Sequence, residues 1–312
     1  MLCSVIIPLY NKANYIEEAL QSVFNQSYQN FQVIVVDDGS KDDSVKRVQA
    51  IKDERLRLVQ QPNGGVSSAR NKGISLAEGE LVCFLDADDW YQPSYLETMV
   101  ALAQRYPDLP FFAAHYKLVN PDVGQQKFWP VPDMPPVEVI DNLYYRWRFS
   151  TLFNIDCVAM RRDFLLQFTP CFPVGEQMGE DQDLYFRMSE KTAVIYCPLP
   201  LTAYRMAVQS SLCATYDASE LHPAYVRLEQ RALQKQMPEK LRSAAIRLVS
   251  EARITEVRKA LMAGERILAF RQLAKAWRGV VSRRWWVSLA MCFVATPSAV
   301  QFWENLRKKT AA

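Results

Sequence analysis

Three acidic clusters carry the chemistry that can be read from this chain. Asp86-Ala87-Asp88-Asp89 sets three carboxylates within four residues, directly after the apolar run Leu81-Val82-Cys83-Phe84-Leu85. Crowded carboxylates raise one another's pKa unless a cation intervenes. Hard divalent cations such as Mg²⁺ or Mn²⁺ take oxygen ligands, often one or two carboxylates plus substrate phosphates. Asp37-Asp38-Gly39-Ser40 is a second acidic stretch, closing the apolar run Phe31–Val36. Gly179-Glu180-Asp181-Gln182-Asp183-Leu184 is a third, at the start of a helical pattern. A carboxylate there can act as a general base on an attacking hydroxyl beside a metal-phosphate site. Each cluster also has a plain structural reading: a solvated turn or helix cap, an ordinary Asp-Asp-Gly turn, and a helix start favoured by the helix dipole.

The elements around these clusters predict how they are positioned. Ser4–Tyr10, Phe31–Val36, Arg55–Gln60, Glu80–Leu85 and Phe111–Val119 are short apolar runs that read as buried strands. Between them Tyr15–Phe24 puts Ile16, Ala19, Leu20 and Val23 on one helical face, and Val66–Ala77 follows the turn Asn63-Gly64-Gly65. Ser40 is expected to cap the second helix, with Asp43 three residues on, and Pro93-Ser94 opens another. Strands alternating with helices predict an α/β fold with a mostly parallel sheet covered on both faces. Ligands bind such sheets in the crevice at the carboxyl ends of the strands. Tyr10-Asn11, Asp37-Asp38 and Asp86–Asp89 all fall at strand ends, so they are expected to converge. Past residue 120 the chain is proline-rich and irregular; Phe153–Met160 and Thr192–Cys197 are further strand candidates and Asp181–Glu190 a helix.

These stretches together resemble the family 2 glycosyltransferases, inverting enzymes of the GT-A fold. The matching segments are Val5–Asn11, Val36–Ser40, Asn63–Gly73, Phe84–Asp89 and Gly179–Leu184, in the family's order across roughly residues 3–210. The resemblance implies a nucleotide-binding sheet flanked by helices. Pro8, Tyr10 and Asp38 would line the base pocket with Arg70 beside them, Asp86 would contact the ribose, and Asp88 would reach the metal. It also implies that Asp181 is the catalytic base. Glu180 is expected to bind an acceptor hydroxyl, and Asp89 and Arg205 are expected as secondary site residues, Arg205 through the diphosphate or, as readily, in a surface ion pair. The implied reaction moves a sugar from a nucleotide sugar, by default a UDP-sugar, to a hydroxyl of a glycan or lipid-linked acceptor in cell-surface polysaccharide or lipopolysaccharide synthesis, with a divalent metal. A non-catalytic nucleotide-sugar-binding or scaffolding subunit is the alternative. Many relatives carry a histidine after an arginine near the end of the catalytic domain; Tyr204-Arg205-Met206-Ala207-Val208 has none. His115 and His222 read as structural residues.

Other chemistries fit less well. A haloacid-dehalogenase phosphatase places Thr or Val at the fifth motif position, where Trp90 stands, and a nicotinamide enzyme needs a Gly-rich turn where the chain has Pro8–Lys12. The net charge of +3 hides an asymmetry: residues 1–222 hold 19 Lys/Arg and 28 Asp/Glu, whereas residues 223–312 hold 18 and 6. This predicts a catalytic domain over 1–222 and a basic helical extension over 223–312. Arg283-Arg284-Trp285-Trp286, Trp303 and Arg307-Lys308-Lys309 fit an element lying on an anionic membrane surface. No nucleic-acid motif accompanies the charge. The seven cysteines show no metal-ligand spacing and suit a reducing compartment. With no secretory signal, and an uncharged tail stretch shorter than the roughly 20 residues that span a bilayer, the expected location is cytoplasmic, peripheral at the inner membrane face.

Overall fold

The computed structural model describes residues 1–120, 128–131, 136–176, 178–206, 208 and 221–311, with side chains of the last helix described to residue 305. The prolines at 121, 132 and 135, Ala207, Cys213 and the basic run 307–309 lie outside the described residues or side chains. The chain divides into two compact units, one of Met1–Leu143 with Thr151–Tyr216, the other of Tyr144–Ser150 with Asp217–Ala312.

The first unit is built on a sheet whose strands are β1 (Cys3–Leu9), β2 (Phe31–Asp37), β3 (Leu56–Gln60), β4 (Leu81–Phe84), β5 (Trp90–Tyr91), β6 (Phe111–Val119), β7 (Glu138–Ile140), β8 (Val158–Arg161) and β9 (Val194–Arg205). Their order is β3-β2-β1-β4-β8-β6-β9-β5, with β7 on β9. The pairings β3-β2-β1-β4 are parallel. Beyond β4 the sheet is mixed: β8 runs antiparallel to both β4 and β6, and β9 pairs parallel with β6. This is the α/β architecture expected, with antiparallel pairings beyond β4 that the strand pattern did not reveal. Because β1 lies between β2 and β4, the carboxyl ends of these three strands open side by side. The register brings Leu9 opposite Asp37 and Ile6 opposite Phe84.

Alternation along β1 explains its covering. Cys3, Val5, Ile7 and Leu9 share a buried cluster with Ile16, Ala19, Leu20 and Val23 of α1 (Ile16–Phe24), the helical face that the spacing predicts. Each such side chain fully buried contributes about 1.5–3 kcal/mol. Ile6 points to the opposite face, towards the helix Val66–Leu76. Gly73 makes that approach possible, since a Cβ there would stand 2.3 Å from Ile6 Cγ2. One expectation fails at the second helix, which spans Ser44–Ala50 with Asp43 before it. Ser40 does not cap it; its Oγ accepts the Asn11 N–H at 3.0 Å instead. Phe153–Met160 also differs, because a 3₁₀ turn, Ile155–Cys157, precedes the shorter β8. His115 is structural, its Nδ1 standing 2.9 Å from the Leu152 carbonyl.

The second unit contains the helices Pro223–Leu233, Glu239–Met262, Arg266–Lys275, Arg283–Val294 and Pro297–Ala311. Val257, Leu261, Ala269, Leu273, Cys292 and Val300 form its core. Arg258 is 1% exposed and donates to Glu304 and Ser288, with its guanidinium 4.4 Å from the Trp303 ring. Trp303, expected at a membrane interface, is thus half-buried against Arg258. Trp277, Val281, Trp286, Phe293, Val294 and Phe302 are among its exposed apolar side chains. Among the described residues no helix is long and apolar enough to cross a membrane. The six described cysteines are free and buried.

Candidate active site

A cavity of about 450 Å³ opens at the carboxyl ends of β1, β2 and β4. It brings together Pro8, Tyr10, Asp38, Arg70, Asp86, Asp88, Asp89, Glu180 and Arg205, residues drawn from across more than half of the chain. Asp181 alone among the expected site residues does not line it; its neighbour Glu180 does. Tyr10, 44% exposed, offers an open ring at the rim.

Each carboxylate is held by a specific partner. Asp38 is buried and closes the turn after β3: its carboxylate accepts N–H bonds from Gly64 at 2.9 Å and Gly65 at 2.8 Å, and one from Gln61 Nε2 at 2.8 Å. Gly39 supplies the left-handed φ of 78° that turns the chain away after it. Asp86 accepts from Arg70 Nη2 at 2.7 Å, and Glu180 from Arg70 Nη1 at 2.6 Å. Arg70 itself is 3% exposed, with its guanidinium 5.5 Å from the Phe172 ring. The helix Val66–Leu76 carries Arg70 beneath both acids, and Gly179, in the left-handed region at φ 68°, starts the helix Glu180–Ser189 that delivers Glu180 and Asp181.

Asp88 pairs with Lys12 Nζ at 2.7 Å. Asp89 accepts the Arg205 backbone N–H at 2.7 Å, while the Arg205 side chain donates to the Asp88 carbonyl at 2.8 Å and to Glu18. Its guanidinium lies over Tyr15 at 5.1 Å and Trp90 at 4.8 Å. Arg205 is thus a buried residue that braces the acidic loop while lining the cavity. Of the three carboxylates in this loop, Asp86 and Asp88 meet protein cations, Arg70 and Lys12.

Asp156 is the residue that sequence reasoning missed. It is fully buried in the 3₁₀ turn Ile155–Cys157, accepts the Asp86 N–H at 2.7 Å and Asn154 Nδ2 at 2.9 Å, and faces the Asp89 carboxyl. Burial, then the charge of Asp86, pushes Asp156 up to about 8, and burial, then Asp156, raises Asp89 well above the carboxylate range. Burial therefore favours the protonated form of this pair, which joins the acidic loop to the turn before β8. The signal for it was a lone carboxylate inside an apolar run, which cannot be buried without a partner.

Asp86, Asp89 and Asp156 place carboxylate oxygens within 4.8 Å of one another, close enough to share a cation. Asp88, the residue expected to reach the metal, is not one of these three. Its side chain is 16% exposed, lines the cavity, and already carries a cation in the Lys12 ammonium. Asp181 is part-buried, and burial, then the Glu180 charge, raises it to about 7. A carboxylate so placed can accept a proton near neutral pH.

Comparison with known proteins bears on what this geometry serves. The family model described as glycosyl transferase family 2 matches residues 4–167, more than half of the chain. The putative glycosyltransferase EpsH of Bacillus subtilis is 30% identical over 218 residues, covering 66% of this chain and 61% of its own length. The glycosyltransferases GlyA and GlyG of Streptococcus pneumoniae are 30% and 40% identical, over 73% and 48% of this chain and 34% and 52% of their own lengths. The chain thus spans between a third and about three-fifths of these relatives. Among solved structures, TarS residues 1–349 of S. aureus, in complex with UDP-GlcNAc, superposes with a TM-score of 0.70 at 20% identity, over 98% of this chain and 92% of that one. That likeness is one of fold. A family match that runs from β1 through β8, over the strands whose ends build the cavity, makes this protein a glycosyltransferase of family 2 with the GT-A-like fold.

Proposed function

We propose that the protein is an inverting transferase that moves a sugar from a UDP-sugar to a hydroxyl of a glycan or lipid-linked acceptor, in cell-surface polysaccharide or lipopolysaccharide synthesis. The observation that carries this reading is the convergence of Tyr10, Asp38, Asp86 and Asp88 on one cavity, with Asp181 beside it and raised towards neutrality. The TarS complexes with UDP-GlcNAc and UDP support a uridine nucleotide as the first choice.

In this reading Pro8, Tyr10 and Asp38 take the base, and Asp86 takes the ribose. Asp88 holds a divalent ion, Mg²⁺ or Mn²⁺, which supplies neutralisation of the charge on the departing diphosphate. Glu180 orients the acceptor while Asp181 receives the proton of its hydroxyl. The acceptor oxygen bonds to the anomeric carbon as the bond to the diphosphate breaks, so the nucleoside diphosphate leaves from the opposite face and the configuration inverts. Asp181 is set back from the cavity lining. General bases in ligand-free sites commonly tighten onto their target only when substrate binds. The Asp86, Asp88 and Asp181 set argues against a non-catalytic scaffolding subunit, which has no use for a base.

A donor screen tests the reading: nucleoside diphosphate release from a panel of nucleotide sugars with Mn²⁺, Mg²⁺ or chelator, on wild type and Asp88→Ala. Metal-dependent release from a UDP-sugar is expected, lowered by about 10²–10³-fold in the variant, the scale set by loss of one electrostatic stabiliser. Silence across the panel together with no metal-dependent nucleotide binding would favour the scaffold.

The catalytic domain is assigned to residues 1–222 and a peripheral membrane role at the inner, cytoplasmic face to residues 223–312. The exposed Trp277, Trp286, Phe293 and Phe302, in a segment with 18 Lys/Arg against 6 Asp/Glu, support that role. Joint substitution of Trp286 and Phe293 by Ser is expected to lower co-sedimentation with anionic vesicles; unchanged co-sedimentation would remove the membrane from this account.

A further inference from the structure

The cavity sets a charge problem for the ligand proposed above. A diphosphate is an anion, yet six acidic side chains line the cavity against three basic ones. Arg70 is committed to Asp86 and Glu180, and Arg205 to Glu18 and the Asp88 carbonyl. Lys12 differs from both, because its partner Asp88 is the carboxylate to which the proposed mechanism gives the divalent ion. We propose that Lys12 is an exchangeable cation of the donor site: it neutralises Asp88 in the free enzyme and passes to a diphosphate oxygen when Asp88 turns to the ion. The proposal rests on reading the cavity as a diphosphate site.

The geometry suits that exchange. The backbone around Lys12 is pinned by the loop after β2. Lys12 N–H donates to Ser44 Oγ at 2.9 Å, Ala13 N–H to Asp42 Oδ2 at 3.0 Å, and Asn11 Oδ1 accepts Lys41 N–H at 2.8 Å. Asn11 takes a left-handed φ of 52° to make the turn. On this fixed base stands a flexible four-carbon stem ending in a compact ammonium with three donors, which shifts between anionic partners more readily than a planar guanidinium. The ammonium serves as a resident counter-ion that keeps Asp88 oriented before the donor arrives.

The test uses the full chain and two titrations by calorimetry on wild type, Lys12→Met and Lys12→Arg, with melting curves to verify folding. With Mn²⁺ alone, Lys12→Met is expected to bind the ion roughly fivefold more tightly, the value of losing a competing partly exposed ion pair. With UDP at saturating Mn²⁺, the same variant is expected to bind about tenfold more weakly, since a hydrogen bond to a charged group is lost. Lys12→Arg is expected to recover most of the UDP affinity. Opposite shifts in one variant separate exchange from simple damage, which weakens both. Unchanged or weaker Mn²⁺ binding, or unchanged UDP binding, in Lys12→Met overturns the proposal. Failure of wild type to bind UDP with Mn²⁺ overturns the donor-site reading, and this proposal with it.

Discussion

Asp181→Asn is expected to lower kcat by about 10²–10⁴-fold, the usual contribution of a positioned general base, while leaving UDP affinity close to that of wild type. The wild-type rate is expected to rise with pH and level off above about 7, where burial and the Glu180 charge place the Asp181 carboxyl. The asparagine variant loses that inflection. The same shift has a consequence of opposite sign for stability. A carboxyl raised in the folded state stabilises the fold below its unfolded pKa, and that contribution is lost as pH rises towards the folded value. Above pH 7 the wild type therefore holds an unfavourable charge that asparagine lacks, so Asp181→Asn is expected to melt at a higher temperature there. Glu180→Gln is the control, since Glu180 lines the cavity but is bound to Arg70. It is expected to lose acceptor affinity and keep an inflection, moved to lower pH because the Glu180 charge no longer helps to raise Asp181. A flat wild-type profile between pH 6 and 8, or an inflection abolished by Glu180→Gln alone, would move the base to Glu180.

The strand ends were legible because apolar runs stop abruptly at polar residues, and a parallel βαβ pattern fixes where those ends point. That logic found Tyr10, Asp38 and Asp86–Asp89 without any contact information. It found less beyond β4, where the sheet turns antiparallel. A short strand such as β8, preceded by a 3₁₀ turn, has no periodicity distinct from one longer strand, so Phe153–Met160 read as continuous. Asp156 vanished into that run for the same reason.

What the sequence hid most completely was pairing. Three crowded carboxylates imply a cation but do not name it. Here Lys12, Arg70 and Arg205 arrive from 76, 16 and 117 residues away to meet Asp88, Asp86 and the Asp88 carbonyl. Local spacing carries no record of such meetings. Arg70 and Arg205, expected from the chain as ligand-binding cations, line the cavity and are also internal braces of the acidic residues. Ser40 shows the same effect on a smaller scale, since a helix cap and a turn between loops draw on the same hydroxyl.

Arg70→Met is expected to cost about 3 kcal/mol of stability, at the lower end for breaking a buried ion pair, because Asp86 keeps some exposure while Glu180 is almost enclosed. Methionine fills similar space and retains contact with Phe172, so the loss reports charge rather than volume. It leaves two carboxylates facing each other beside a third, Asp181, which the guanidinium also helps to hold down. Three consequences follow from that one removal. Asp86 loses the bond that orients it, so nucleotide affinity falls. Glu180 loses its anchor at the start of the helix Glu180–Ser189. Asp181 loses a nearby positive charge, so any residual activity inflects at a higher pH than in wild type. Adding Glu180→Gln to Arg70→Met removes one of the stranded charges. The double variant is therefore expected to be more stable than the sum of the single effects, with a coupling of the kind that contacting residues show. Thermal melts on the four proteins of this cycle, with UDP titrations on each, measure both terms. Additive stabilities with unchanged nucleotide affinity would show that the guanidinium does not join the two acids, and that the nucleotide side and the acceptor side of the cavity are held independently.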